Sequence, residues 1–187
     1  MSRQIRKSRR YSRDEVRELL ESLFAIELIR PSSVIWVTAP WVSDIEIMDN
    51  SAGSYSVSEL PQRNLTLSDL LLALAKERTD VVIAISDERS NPYFVNRLQR
   101  LFQAEQLQRK LTIYLDDSRE LHDKSIISDD FVLTGSMNFT HSGMTHRSEE
   151  LWLHTDGEVV SRSREDALDR FPPSHASTQG LIRKAGL

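Results

Sequence analysis

Three dense β-branched runs, set apart by helical segments, constrain this chain of 187 residues more than anything else in it. They are Ser33-Val34-Ile35-Trp36-Val37-Thr38-Ala39, Asp80-Val81-Val82-Ile83-Ala84-Ile85-Ser86 and Leu111-Thr112-Ile113-Tyr114-Leu115. Apolar residues on consecutive rather than alternate positions suit strands covered on both faces. Between the runs lie segments of helical spacing. Val16, Leu19, Leu20, Leu23, Phe24 and Ile26 predict a helix from a Ser12 or Asp14 cap to Ile29, ended by Arg30-Pro31. A second helix opens at Leu65–Asp69 with Leu70, Leu71, Leu74 and Ala75 inward. A third starts at Asn91-Pro92 and carries Phe94, Leu98, Leu101 and Phe102. Helix and strand in alternation predict an α/β fold with a sheet that leans parallel.

Past the third run the pattern changes. Ile126-Ile127 and Phe131-Val132-Leu133 flank Asp129-Asp130 and predict two short buried strands joined by a tight turn. Just upstream, His122 and Lys124 stand two positions apart, so in extended chain both side chains leave one face. Just downstream, Gly135-Ser136-Met137-Asn138 offers a hydroxyl and an amide as hydrogen-bond donors. An imidazole that can attack phosphorus, a fixed cation and neutral donors together suit a phosphoryl group. A short helix over Phe139–Met144, a strand over Glu150–His154 and a helix over Glu158–Phe171 complete the domain, which Pro172-Pro173 closes.

His122-x-Lys124-x4-Asp129 followed by Gly135-Ser136-x-Asn138 resembles the HKD signature of the phospholipase D superfamily, in its small single-motif bacterial nuclease form. The resemblance implies a phospholipase D-like mixed β-sheet sandwiched between helices, as a single HKD domain. It implies His122 as nucleophile or acid, Lys124 and Asn138 as the phosphate grip, and Ser136 beside them. Asp129 and Gly135 fall on structural positions of the motif. Glu149-Glu150 falls where the family places a carboxylate that orients the histidine. Strand alternation lets only one of the two face the site, and the family pattern favours Glu149, which follows Ser148. In one respect the sequence departs from the pattern: five residues separate Asp129 from Gly135 where six are usual. That shortened turn leaves open whether Asp129 or Asp130 fills the motif's acidic position.

The signature occurs once, and the superfamily's working site takes two copies face to face. The resemblance therefore implies a homodimer in which each protomer supplies one His122 across a two-fold axis. It implies no cofactor and no metal, with Lys124 stabilising the charge that a metal offsets in many nucleases. His141, His146, His154 and His175 lack metal-site spacing, and Asp116 and Asp117 suit turn chemistry.

Charge bears on the partner. Residues 1–13 hold Arg3, Arg6, Lys7, Arg9, Arg10 and Arg13 with no acid. Subtracting those six from the chain's 24 Lys and Arg leaves 18 against 28 acids, or −10 for the remainder. A basic arm on an acidic body suits a nucleic-acid contact, with Arg9 and Arg10 as candidate substrate-binding residues. A solvated tail, or one paired with the protein's own acids, is the equal alternative. The expected division is a basic N-terminal arm over 1–13, a phospholipase D-like domain over 14–173 and a flexible tail over 174–187. Residues 45–64, rich in Ser, Asn and Gly, are expected to form a variable surface insertion, the alternatives being a loop over the site or a dimer contact. Trp41 stands at the carboxyl end of the first strand, where open α/β sheets place ligands. Stacking on a nucleobase is one use for it, and a place in the core or an interface is the ordinary one.

Cysteine is absent, which excludes disulfides and thiolate metal sites and fits a reducing compartment. No apolar run reaches membrane-spanning length, and the basic N-terminus lacks the apolar segment of a secretory signal. The expected location is the cytoplasm, with no membrane partner. The leading expectation is a metal-independent phosphodiesterase, a nuclease cleaving DNA or RNA (DNA favoured) through a phosphohistidine. The alternative is a nucleic-acid-binding component of a bacterial defence or DNA-modification complex, partnered by other subunits, with weak or no cleavage. In size the chain resembles the phospholipase-D-like component of the 7-deazaguanine DNA-modification system. A lipid phosphodiesterase ranks lower, since such relatives more often carry two motifs or a membrane segment.

Overall fold

A computed structural model describes residues 2–7, 13–55, 60–86, 91–116, 120–145, 148–174 and 182–184. In chain order the elements are β1 (Ser2–Lys7), α1 (Arg13–Ile29), β2 (Val34–Thr38), β3 (Glu46–Asp49), β4 (Asn64–Thr66) and α2 (Leu67–Glu77). There follow β5 (Asp80–Ile85), α3 (Pro92–Ala104), β6 (Leu111–Asp116), β7 (Ser125–Ile127), β8 (Val132–Gly135), α4 (His141–Thr145), β9 (Glu149–His154), α5 (Gly157–Arg170) and β10 (Ile182–Lys184).

Among the described residues eight strands form one sheet in the order β1-β9-β8-β7-β2-β5-β6-β10. The β-branched runs supply its parallel half: β2 pairs β5, β5 pairs β6 and β6 pairs β10. On the other side of β2, the pairings of β7 with β2, β8 with β7, β9 with β8 and β1 with β9 are all antiparallel. The reason is the short Ser128–Phe131 connection, which permits a hairpin but no crossover. The fold is thus mixed α/β, less parallel than the alternation of its first half implies. One sheet face, with Ile35, Val37, Val81, Ile83 and Leu133, packs under α1, α2 and α3. The other, with Trp36, Val82, Tyr114, Ile127 and Val132, packs under α5 through Val160, Ala167 and Phe171.

Both expected flanks contribute to the sheet. Ser2–Lys7, in the expected basic arm, is an edge strand antiparallel to β9, and its single apolar residue, Ile5, is buried. Ile182–Lys184, in the expected flexible tail, pairs parallel to β6. Residues 45–64 differ from an insertion as well. β3 and β4 pair as a small separate sheet that sends Ile47, Met48 and Leu65 into the core. Asp69 locks this unit to α2, accepting from the Thr66 amide at 2.9 Å and from the Arg63 guanidinium at 2.7 and 2.9 Å. Burial opposes its charge, but these bonds outweigh that and hold its carboxyl below the ordinary aspartate range.

At the amino ends of β2 and β5 a buried polar cluster fixes the β7–β8 turn. Glu27, fully buried, accepts from the Ser32 amide at 3.0 Å and the Ser32 hydroxyl at 2.9 Å. The Ser32 hydroxyl in turn accepts from the Asp129 amide at 2.9 Å. Burial pushes the Glu27 carboxyl above its ordinary value of 4.5, and its hydrogen bonds offset that only in part. The unfolded chain therefore releases this proton at lower pH than the folded one, so Glu27 makes stability fall as pH rises above 4.5. Urea denaturation of Glu27→Gln across that window is expected to show a shallower fall than the parent protein. An unchanged slope would place the pH dependence elsewhere.

Candidate active site

The carboxyl ends of β2, β5 and β6 mark one end of the sheet, and the register places most of the expected site there. Thr38, the last residue of β2, is opposite Ser125, the first of β7, and Ser125 is opposite Thr134 of β8. His122 and Lys124 precede β7 in a segment without regular structure rather than within the strand. His122 is exposed and Lys124 half-buried, and the Lys124 ammonium donates to the His122 carbonyl at 2.5 Å. Asp123, between them, pairs instead with Arg170 of α5 at 2.7 Å. A cleft of about 410 Å³ between α5 and the sheet has Thr38, Asp123, Ser125, Thr134 and Arg170 in its wall.

Gly135 ends β8 because nothing larger fits. A Cβ there would stand 2.0 Å from the Glu150 carbonyl oxygen of the neighbouring strand. This close approach carries the chain into Ser136, whose hydroxyl donates to Glu149 Oε2 at 2.5 Å and accepts from the Glu150 amide at 3.0 Å. The Glu150 carboxylate goes elsewhere, to the side-chain amide of Gln4 on β1. The pair of acids is therefore divided: Glu149 lies with Ser136, and Glu150 serves the sheet edge. Among the described residues, the hydrogen-bond partner of Glu149 is Ser136 and not the His122 ring.

Asn138 is buried, and its Oδ1 accepts from the Trp41 amide at 3.3 Å. With Oδ1 so engaged, Nδ2 is the atom left to donate. Val42 pairs with Phe139 in a single bridge, and Ser43 donates to the Phe139 carbonyl at 2.8 Å, so 41–43 and 138–139 run side by side. Trp41 itself is 49% exposed, which removes it from the core. Its bond to Asn138 is a tertiary contact with no local signal in the sequence.

Asp129 sits at the other end of β7. It accepts from the Ser33 amide at 2.8 Å and hydroxyl at 2.9 Å, and pairs with Arg164 at 2.8 Å. Asp130 pairs with Arg30. Both acids hold the turn, and the question between them concerns structure rather than chemistry. Arg9, Arg10, His146, His175 and Asp117 lie outside the described residues. Among the described residues no helix is long and apolar enough to cross a membrane.

Residues 47–169, well over half of the chain, match the family described as cardiolipin synthase, PLD-like domain. The chain belongs to the phospholipase D superfamily. No curated protein matches it significantly. Solved structures share the fold at low identity. NucT from Helicobacter pylori superposes with a TM-score of 0.58 at 11% identity, over 90% of this chain and 94% of that one. A polyphosphate kinase from Porphyromonas gingivalis gives 0.52 at 17%, over 90% of this chain and 26% of that one. A phosphatidylserine synthase from Haemophilus influenzae Rd KW20 gives 0.52 at 18%, over 89% and 38%. Phospholipase D superfamily members are phosphoryl-transfer enzymes. The kinase and the synthase are named for different substrates, so the shared fold leaves the substrate to the site.

Proposed function

We propose that this phospholipase D-like protein is a metal-independent phosphodiesterase that cleaves nucleic acid, DNA in preference to RNA, in a site shared by two protomers. The observation that supports this is that His122, Lys124, Ser136, Asn138 and Glu149 come from three neighbouring segments, before β7, after β8 and at the start of β9, that meet at one end of the sheet. His122 attacks phosphorus, and the phosphorus–oxygen bond to the leaving strand breaks. The imidazolium of His122 of the partner subunit gives its proton to that oxygen. Water then attacks the phosphohistidine, passing a proton back to the same imidazole and freeing His122. Lys124 and Asn138 Nδ2 stabilise the charge that builds on the non-bridging oxygens. Glu149, buttressed by Ser136, is the carboxylate that orients the histidine.

The N-terminal strand supports a nucleic-acid substrate. Lys7, the last residue of β1, is opposite Glu149. β1 thus delivers the chain to the site end of the sheet directly before Arg9 and Arg10 in sequence, where basic residues would neutralise flanking phosphates.

Incubation with plasmid or single-stranded DNA in EDTA is expected to give nicking or cleavage, and the protein is expected to sediment as a dimer. Cleavage abolished by EDTA would reject the metal-free route, and a strict monomer would reject the shared site. Salt-sensitive binding without cleavage would favour the binding component. Hydrolysis of phospholipid vesicles with DNA untouched would favour a lipid diesterase.

A further inference from the structure

We propose that Trp41 and Tyr93 form a stacking platform for the bases of an unpaired nucleic-acid strand, so that the substrate is single-stranded. This rests on the nucleic-acid reading of the site and adds to it the part of the substrate beyond the phosphate. Most large aromatic rings of this region are buried: Trp36, Phe94, Phe102 and Phe139 are at most 1% exposed. Trp41 at 49% and Tyr93 at 90% are the departures.

Neither ring sits on a loose loop. The Trp41 amide donates to Asn138, the residue assigned to the phosphate. On either side of Trp41, Asn91 accepts from the Val42 amide at 2.6 Å and donates to the Pro40 carbonyl at 3.1 Å. The Ser86 hydroxyl donates to the same carbonyl at 2.7 Å. Two residues further, Asp44 accepts from the Ser68 amide at 2.9 Å and pairs with Arg97 of α3 at 2.6 Å. Asn91 also precedes α3, and Tyr93 lies on the first turn of that helix, whose inward residues are Phe94, Val95, Leu98 and Phe102. One asparagine therefore ties the segment bearing Trp41 to the helix bearing Tyr93. Rings held on a rigid frame lose little freedom when a base settles on them.

The chemistry follows from connectivity. A phosphate held by Asn138 Nδ2 lies one hydrogen-bonded residue from the backbone of Trp41, and the nucleoside attached to that phosphate must go somewhere close by. Every base offers a π-face, so stacking is tolerant of sequence. In a duplex those faces are already occupied by neighbouring bases, so only an unpaired strand presents them. A platform of this kind selects strandedness without reading sequence.

The test separates bases from phosphates. Fluorescence anisotropy would measure binding of a labelled oligothymidine and of an abasic oligomer of equal length, on a His122→Ala background that prevents turnover. Trp41→Ala and Tyr93→Ala are each expected to weaken oligothymidine binding about ten-fold while changing the abasic oligomer by less than about two-fold. Trp41→Phe is expected to retain most of the affinity, which excludes a general loss of fold. Equal weakening for both oligomers, or none, overturns the platform. So does weakening that accompanies loss of the dimer on sedimentation, which would make Trp41 an anchor between copies. If neither oligomer binds but the unsubstituted protein hydrolyses bis(p-nitrophenyl) phosphate, the platform falls and the phosphodiesterase stands. If the base-specific loss is seen and the unsubstituted protein hydrolyses neither that ester nor DNA, the platform stands and the catalytic reading falls.

Discussion

His122→Ala is expected to lower phosphodiester hydrolysis by at least about 10³-fold, since on the proposed mechanism the change removes nucleophile and general acid together from a two-fold site. Stability should change little, because the ring is exposed and among the described residues takes part in no hydrogen bond. Thermal melts of the variant close to those of the parent would show that activity is lost through chemistry. A mixed dimer sharpens the expectation. When each site needs one imidazole from each protomer, a dimer of one His122→Ala chain and one unsubstituted chain is as inactive as the doubly substituted one. Half of the parent rate in purified mixed dimers would mean that each protomer works alone, and the shared mechanism would be wrong.

The second large effect is structural. Gly135→Ala places a methyl group 2.0 Å from the Glu150 carbonyl oxygen, far inside contact distance, and the obstacle is backbone rather than a side chain that could swing aside. β8 and β9 must part at the point where Ser136 meets Glu149. Forcing a methyl group into such a contact costs on the order of 3 kcal/mol, which for a chain of this size lowers Tm by roughly 6–12 °C. Activity should fall as well, because Ser136 follows immediately and its hydroxyl bridges the two strands. Circular dichroism melts of the variant would check the first expectation, and a melt within a degree or two of the parent would show that β9 yields there at little cost.

What the sequence made legible depends on how local the cause was. β2, β5 and β6 are buried on both faces, so continuous Val and Ile runs announce them. The β7–β8 hairpin is likewise visible in its own residues. β1 was hidden because an edge strand with a single buried residue, Ile5, reads as a charged arm. β3 and β4 were hidden because short strands joined through a long connection leave no periodicity, only a pairing that tertiary structure reveals. The site divides the same way. His122, Lys124, Ser136 and Asn138 lie within one short stretch and stand out as a pattern. The division of labour between Glu149 and Glu150 required Gln4, far away in sequence, and the link from Asn138 to Trp41 spans 97 positions.

The antiparallel register of β1 has a practical consequence for anyone handling the protein. Ser2 is opposite His154, at the end of β9 remote from Glu149, while Lys7 is opposite Glu149 itself. A purification tag fused ahead of Ser2 would therefore project from the far side of the molecule and leave substrate access clear. Trimming the first seven residues, by contrast, would strip the strand alongside Glu149 and bare the hydrogen-bonding groups of β9, inviting another molecule to fill the gap.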